Sequence, residues 1–308
     1  MNQMADIQAL ERKNAELKKE ASKYQSALGN AIDLQLSDDN ENNSVNLKKD
    51  ILSLQDSLED YVTNCKGDIE LDIPKIQALL KKYGSQTVVT KDQKPLIKAV
   101  LQRYVIEQIL DYANSFIGNP GIHEEMLYGI ETTLLFSTEQ LLEVMTDLAD
   151  RRVGDDDTIK LLNIKLRQQI FGALGNRGFN DMINVDKKIQ RHEFITYFKD
   201  VLNNEIGKYR KIIDPFQKKE VEDMAADIIQ KLVKLFLFRF QVHEPVANHH
   251  WCKYGSQIDD FMDGIWEEDE IDDLIVDVCY FPLIAQGFVN NKSKCQIYTP
   301  AKVITKHR

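Results

Sequence analysis

Residues 243–252, HEPVANHHWC, concentrate the side chains of this chain that are best suited to chemistry. Three of the six histidines lie in these ten residues, beside Glu244 and one of the four cysteines. Imidazole nitrogens, thiolates and carboxylates are the usual ligands of zinc. One hypothesis is therefore a metal-binding protein or a metal-dependent enzyme. Its candidate ligands are His243, His249, His250 and Cys252.

The spacing of these residues favours a different interpretation. In a metalloprotease helix two histidines lie four positions apart on one face, whereas His243 and His249 are six apart with Pro245 between them. Neighbouring side chains such as His249 and His250 point in different directions on regular backbone. The alternative is the end of a helix at Pro245, followed by a turn over residues 248–251 that places Trp251 on the core.

The elements around this stretch are predicted to be helices. Asp214 and Pro215 are typical of a helix start, and the apolar residues late in that helix cover nearly all its faces. Asp72 with Pro74 predicts another helix start, and Ser137 with Gln140 resembles a capping box. Only residues 294–299 have a strand-like pattern. The sequence thus predicts an all-α fold, a multi-helix bundle-like domain over residues 45–308.

Charge is concentrated in one segment. The net charge is −10, and residues 254–291 contain ten acidic residues and no Lys or Arg. This balance excludes a nucleic-acid surface, which needs clustered basic residues. Two interpretations remain: a solvated helix face, or an acidic surface with apolar anchors that binds a basic protein partner. The candidate residues of that surface are Asp259, Asp260, Trp266, Glu267 and Glu268.

The glycines of GALGNRGF at residues 172–179 recur at every third position. They follow a predicted helix rather than a strand, and the lysine of a P-loop is missing. A phosphate-binding loop is therefore disfavoured against a helix end and a flexible connection between helices. No other catalytic or cofactor-binding motif is present in the chain, so no cofactor is expected.

The first 36 residues have a heptad pattern. Placing Ile7 at position a puts apolar residues at most a and d positions, and an Asn at a is a known device for fixing a parallel dimer. We expect a helix at residues 1–36 and a polar linker at residues 37–44. A homodimer through residues 4–28 and an amphipathic helix that docks on its own domain both fit. The seam residues are Ile7, Leu10, Asn14, Leu17 and Leu28.

The remaining expectations concern the cell. No signal peptide or membrane-spanning run is visible, and the four cysteines follow no disulfide framework. We therefore expect an intracellular protein with reduced thiols, in the cytoplasm or the nucleus. A non-enzymatic interaction or scaffold protein is the function that these patterns favour.

Three stretches carry a resemblance to a family. They are KKDILSLQDSLEDYVTN, KPLIKAVLQRYVIEQILDYAN and GIWEEDEIDDLIVDVCYFPLI with the later IYTPAKV. They resemble segments of a large uncharacterised family of fungal proteins, in which a variable N-terminal coiled coil precedes a helical C-terminal region. The resemblance covers residues 45–308. It implies a helical fold and no particular activity, cofactor or catalytic residue.

Overall fold

The helices account for most of the chain. The computed structural model describes residues 13, 16–18, 36–37, 40–63, 69–118, 129–154, 158–183, 186–288 and 295–308. Its α-helices are α1 (Ser44–Thr63), α2 (Ile73–Lys82), α3 (Lys94–Gly118), α4 (Ile130–Arg151), α5 (Thr158–Arg177), α6 (Glu193–Gly207) and α7 (Pro215–Val233). Helix α7 continues into a π-helical turn, Lys234–Phe238, and a 3-10 turn, Arg239–Val242. A further 3-10 turn is formed by Glu268–Asp273.

Strands also form, so the all-α prediction is wrong and the fold is mixed α/β. The strands are β1 (Ile69–Leu71), β2 (Met182–Ile183), β3 (Ile189–Gln190), β4 (Arg210–Ile212), β5 (Ala247–His250), β6 (Met262–Asp263), β7 (Leu274–Phe281), β8 (Leu283–Gln286), β9 (Gln296–Thr299) and β10 (Ala301–His307). Within the described residues they make four sheets, with strand orders β1-β4, β2-β3, β6-β10-β7 and β5-β8-β9. All the pairings are antiparallel except that of β6 with β10.

The C-terminal sheets derive from one bent hairpin. Strand β7 continues into β8 past Pro282, and β9 continues into β10 past Pro300. Proline has no N–H to donate to a ladder, so both strands are interrupted at nearly the same level. Lys302 pairs with Phe281 on one side of the bend, and Thr299 pairs with Ile284 on the other. Because β6 joins β10 and β5 joins β8, each half becomes a three-stranded sheet.

The burial pattern of β7 explains why this strand was predicted to be a helix. A half-buried strand alternates apolar and polar residues, but six of the eight residues of β7 are buried, on both of its faces. Ile271, Leu274, Ile275 and Val278 then match helical spacing by coincidence. The predicted acidic helix is therefore wrong: residues 254–291 contain β6, a 3-10 turn, β7 and β8.

Helix α3 lies at the centre of the main core. It contacts α1, α6, α7 and β7, and Val100, Val105 and Ile109 have no exposed surface. The π-helical turn after α7 also lies in this core, with Leu235 and Phe238 at most 1% exposed. A second, smaller cluster lies between the C-terminal sheets. Its buried members are Val276, Cys279, Leu283, Ala285, Ala301 and Val303.

Two predicted helix starts are confirmed and one is wrong. The carboxylates of Asp72 and Asp214 accept the N–H groups of Lys75 and Gln217 at the starts of α2 and α7, at 3.1 and 2.8 Å. The capping box at Ser137 is wrong, because α4 begins seven residues earlier, at Ile130. Residues 296–299 form β9, as the strand-like pattern predicted.

The glycines at 172 and 175 lie inside α5 rather than in a connection. A Cβ at Gly172 would lie 3.2 Å from Asn42 Nδ2, and one at Gly175 would lie 3.0 Å from Arg239 Cγ. These glycines let Asn42 and Arg239 pack closely against the helix. The predicted flexible connection is therefore wrong at these two positions.

The N-terminal segment is described only in part. Ile7, Leu10, Asn14 and Leu28 lie outside the described residues. Residues 13 and 16–18 are helical, and the seam residue Leu17 is 54% exposed. Helix α1 begins at Ser44, the last residue of the predicted linker. None of the helices in the described part of the chain is long and apolar enough to cross a membrane.

Candidate functional site

His249 and His250 lie on strand β5, so the predicted turn over residues 248–251 is wrong. Strand β5 pairs with β8, with His249 opposite Ile284 and His250 opposite Leu283. Successive side chains on a strand point to opposite faces. Accordingly, the His249 ring packs on Phe236, with 5.0 Å between the ring centroids. The His250 ring packs on Phe288 instead, with 4.8 Å between the centroids. The two imidazoles therefore do not converge on one site.

His243 is buried in a separate place, with 6% of its surface exposed. Its Nδ1 lies 3.3 Å from Tyr298 Oη, and that hydroxyl donates its proton to Gln286 Oε1 at 2.8 Å. The imidazole must then donate from Nδ1 to Tyr298, which leaves Nε2 unprotonated. This Nε2 is buried, with no hydrogen-bond partner among the described residues. Burial, reinforced by the positive charges of Arg239 and Arg167, lowers the pKa of His243 to about 4.

Cys252 has its own partner, the buried Cys279 of β7. The hydrogen bond between the two thiols, together with burial, raises the pKa of Cys252, which therefore remains a protonated thiol. Cys252 also packs against the small C-terminal cluster. Across the described ranges, no group of three or more His, Cys, Asp or Glu side chains is placed to hold a metal ion. The structure thus does not bring the four predicted ligands together.

The constellation most like a catalytic pair is Glu131 with His192. Oε2 of Glu131 lies 3.6 Å from His192 Nε2, beside a cavity of about 410 Å³. His192 Nδ1 accepts the N–H of Phe194, 3.2 Å away, at the start of α6. Burial favours the neutral acid, but hydrogen bonds from His192 and the Phe179 amide outweigh it and lower the pKa of Glu131. Both ring nitrogens of His192 therefore make contacts within the protein.

The acidic residues form an exposed surface around a loop. We call residues 259–273 the acidic loop; its exposed carboxylates are Asp259, Asp260, Glu267, Glu270, Asp272 and Asp273. The predicted surface residues Asp259, Asp260 and Glu267 therefore do face solvent. Glu268 falls in the 3-10 turn, and its side chain is outside the described ones. Trp266 is only partly exposed.

Ile265 is the apolar anchor of the acidic loop, and it was not among the predicted site residues. Its side chain is 97% exposed. A Cβ at Gly264 would lie 2.3 Å from Trp266 Cζ3 and 2.7 Å from the carbonyl oxygen of Val303. Only glycine therefore leaves room for Trp266 to fold back over the chain, where it joins the small C-terminal cluster. The signal in the sequence was the Gly-Ile-Trp triplet inside the acidic run.

Comparison of the chain with protein-family models, with curated proteins and with solved structures finds no match. The resemblance to a fungal family therefore stays a prediction. Function has to be argued from the geometry of the surfaces themselves.

Proposed function

We propose that the protein is a non-enzymatic interaction protein whose acidic loop binds a basic surface of a protein partner. One observation carries the proposal: Ile265, 97% exposed, lies among the exposed carboxylates of the loop. A large aliphatic side chain in water is unfavourable, and covering it contributes about 2 kcal/mol. Carboxylates around such an anchor attract and orient a partner rich in Lys and Arg.

The support beneath Ile265 favours binding. Trp266 is anchored against the small cluster, and the Asp263 carboxylate forms an ion pair with Lys302. Strand β6, which lies within the loop just before Ile265, is hydrogen-bonded to β10. A loop held in this way loses little conformational entropy when a partner binds, so more of the contact energy appears as affinity.

The test compares Ile265→Asp with a matched control, Val88→Asp. Val88 is 75% exposed and lies between α2 and α3, away from the loop in sequence. Full-length wild type and both variants are used to capture partners from cell extract. We expect wild type and Val88→Asp to capture the same partner protein, and Ile265→Asp to fail to capture it. With that partner purified, Ile265→Ala should weaken binding about tenfold or more.

Salt provides the second arm of this test. Binding through the acidic loop should weaken as ionic strength rises, because exposed charges are screened over about 10 Å at 0.1 M salt. Asp259→Asn with Asp260→Asn should lower the association rate more than it raises the dissociation rate. A captured partner that binds all three proteins equally, or whose affinity ignores salt, would contradict the proposal.

The proposal keeps self-association through residues 4–28 as a separate property. The exposed seam residue Leu17 supports it. Sedimentation of the full chain should give a lower mass for Leu10→Glu with Leu17→Glu than for wild type, and Asn14→Leu should loosen the choice of a dimer. Equal masses for wild type and the Glu variant would refute this interface.

We also assign the protein an intracellular location. Cys252 and Cys279 are free thiols, and extracellular compartments favour disulfides. Microscopy of the tagged full chain would test the assignment, and secretion into the medium would contradict it.

A further inference from the structure

Helix α4 carries a second apolar stripe that its own fold leaves in solvent. Its inner face packs on α5, with Leu135 and Thr138 buried. Over residues 139–151 no side chain is buried. The outer stripe, which we call the α4 seam, is between 41% and 76% exposed at its five apolar positions. The seam consists of Ile130, Leu134, Ser137, Leu141, Val144 and Leu148.

The spacing of the α4 seam indicates what would cover it. Its residues alternate by steps of four and three, which is the a and d pattern of a coiled coil. Leu134, Leu141 and Leu148 occupy one of these two positions, and Ile130, Ser137 and Val144 occupy the other. At 1.5 Å per residue the stripe is about 27 Å long. A stripe of this kind fits a second helix rather than a flat surface or a small molecule.

Charge selects the direction of that helix. Residues 130–138 contain one charged residue, Glu131, which is buried. Residues 139–151 contain Glu139, Glu143, Asp147 and Asp150 and one basic residue, Arg151, which forms an ion pair with Asp147 of the same helix. A parallel pair of α4 helices would place the acidic half of one beside the acidic half of the other. An antiparallel pair places each acidic half beside an uncharged half and so avoids the repulsion of like charges.

We propose that α4 of one copy pairs antiparallel with α4 of a second copy through this seam. In an antiparallel coiled coil each a residue packs against a d residue of the partner helix. The α4 seam then matches itself: Leu148 faces Ile130, Leu134 faces Val144, and Leu141 faces Ser137 of the second copy. Asp147, which flanks the seam, lies opposite Thr133. The interface is isologous, so a closed dimer forms rather than a fibre.

The α4 pair extends the proposed function but does not depend on it. The acidic loop could fail to bind a partner while α4 still pairs, because the two surfaces share no residue. The N-terminal seam is likewise separate. Because pairing through either seam would raise the mass in solution, the chains compared in the next experiment all carry Leu10→Glu with Leu17→Glu, and wild type there means this background without a further change.

The first experiment measures mass in solution. Sedimentation compares wild type with one double variant, Leu141→Glu and Val144→Glu, at concentrations up to about 100 μM. The control is Val88→Glu with Ile183→Glu, which adds the same charge at two positions that are each 75% exposed. We expect wild type and control to associate beyond the 35.6 kDa monomer. The seam variant should associate about 100-fold more weakly.

A wild type that stays monomeric over this range, or a seam variant that keeps the wild-type mass, overturns the proposal. The second outcome would show that a surface other than the α4 seam holds the copies together. Circular dichroism of each variant establishes that the helices are intact. Because the substituted side chains are already exposed, we expect the same helix content in all three proteins.

The second experiment tests the direction of pairing. Ser137→Cys and Leu141→Cys are made in separate, differently tagged chains. Antiparallel pairing predicts a disulfide between positions 137 and 141 only when the two chains are mixed, identified by mass spectrometry of the linked peptides. A parallel pair would instead link position 141 to position 141 in Leu141→Cys alone. That product, or no link through either introduced cysteine, overturns the antiparallel arrangement.

Discussion

Acidification should destabilise the folded protein through the buried imidazole of His243. The folded state holds this residue neutral, since burial and the positive charges of Arg239 and Arg167 lower its pKa to about 4. An unfolded histidine has a pKa near 6.5. Between these two values the unfolded chain binds more protons than the folded one. Stability therefore falls as the pH falls.

The size of the effect follows from the two pKa values. The stabilisation is fully present above about pH 6.5 and is lost progressively as the pH falls through about 4. A separation of about 2.5 pKa units corresponds to roughly 3 kcal/mol in total. Between about pH 7 and pH 5 the loss amounts to about 2 kcal/mol. Burial lowers the pKa of His249 and His250 as well, so their contributions have the same sign.

The assay is urea unfolding at several pH values between about 7 and 5. His243→Asn keeps an amide near Tyr298 but cannot take up a proton. It should be less stable than wild type near neutral pH and should lose about 2 kcal/mol less on acidification. His307→Asn is the control, since His307 is an exposed residue at the end of β10. Its unfolding free energy should follow the pH dependence of wild type.

Two results would refute this account of His243. One is an equal pH dependence for His243→Asn and wild type. The other is a pKa near 6.5 for this imidazole in the folded protein, measured by NMR titration. Either result would mean that water or a negative charge stabilises the protonated imidazole in the folded protein. The contacts of His243 with Tyr298 and the two arginines indicate neither.

Two further changes test the local structure. Gly264→Ala should displace Trp266, because the new Cβ would lie 2.3 Å from the indole. Tryptophan fluorescence should shift to the red, and the free energy of unfolding should fall by about 2 kcal/mol or more. Unchanged fluorescence would contradict the packing of Trp266 over Gly264. Asp214→Ala should remove the N-cap of α7 and lower the free energy of unfolding, measured in urea, by about 1 kcal/mol. The control is Asp186→Ala, since Asp186 is exposed. An equal loss of stability in the two variants would contradict the capping role of Asp214.

Helix starts could be predicted from the sequence where the chemistry is local. Asp72 and Asp214 each accept the N–H group three residues ahead, so the residues that make the cap are close together in the chain. The start of α4 could not be predicted in this way. Gly129, at its N-cap, makes no side-chain hydrogen bond. The first turn is instead held by contacts distant in sequence, from the Phe179 N–H and from His192 to Glu131.

The strands could not be predicted because their partners are distant and their patterns weak. Strand β1 is three residues long and pairs with β4, which is about 140 residues later. Strand β7 is buried on both faces and so shows no alternation. Pro282 and Pro300 read as breakers, yet their joint effect is to divide a single hairpin into two sheets. That effect arises because the two prolines lie opposite each other in the paired strands, and a short stretch of sequence around either proline does not show this pairing.

The histidine cluster shows how composition and fold answer different questions. Residues 243–252 contain ligand atoms in abundance, but a metal site requires side chains that converge. The backbone separates these side chains. His249 and His250 leave opposite faces of β5, His243 forms a hydrogen bond with Tyr298, and Cys252 forms a hydrogen bond with the thiol of Cys279. The alternation of a strand alone is enough to separate two adjacent histidines. Ile265, with no reactive group, is by contrast exposed because Trp266 folds back over Gly264, and this makes it the stronger candidate for recognition.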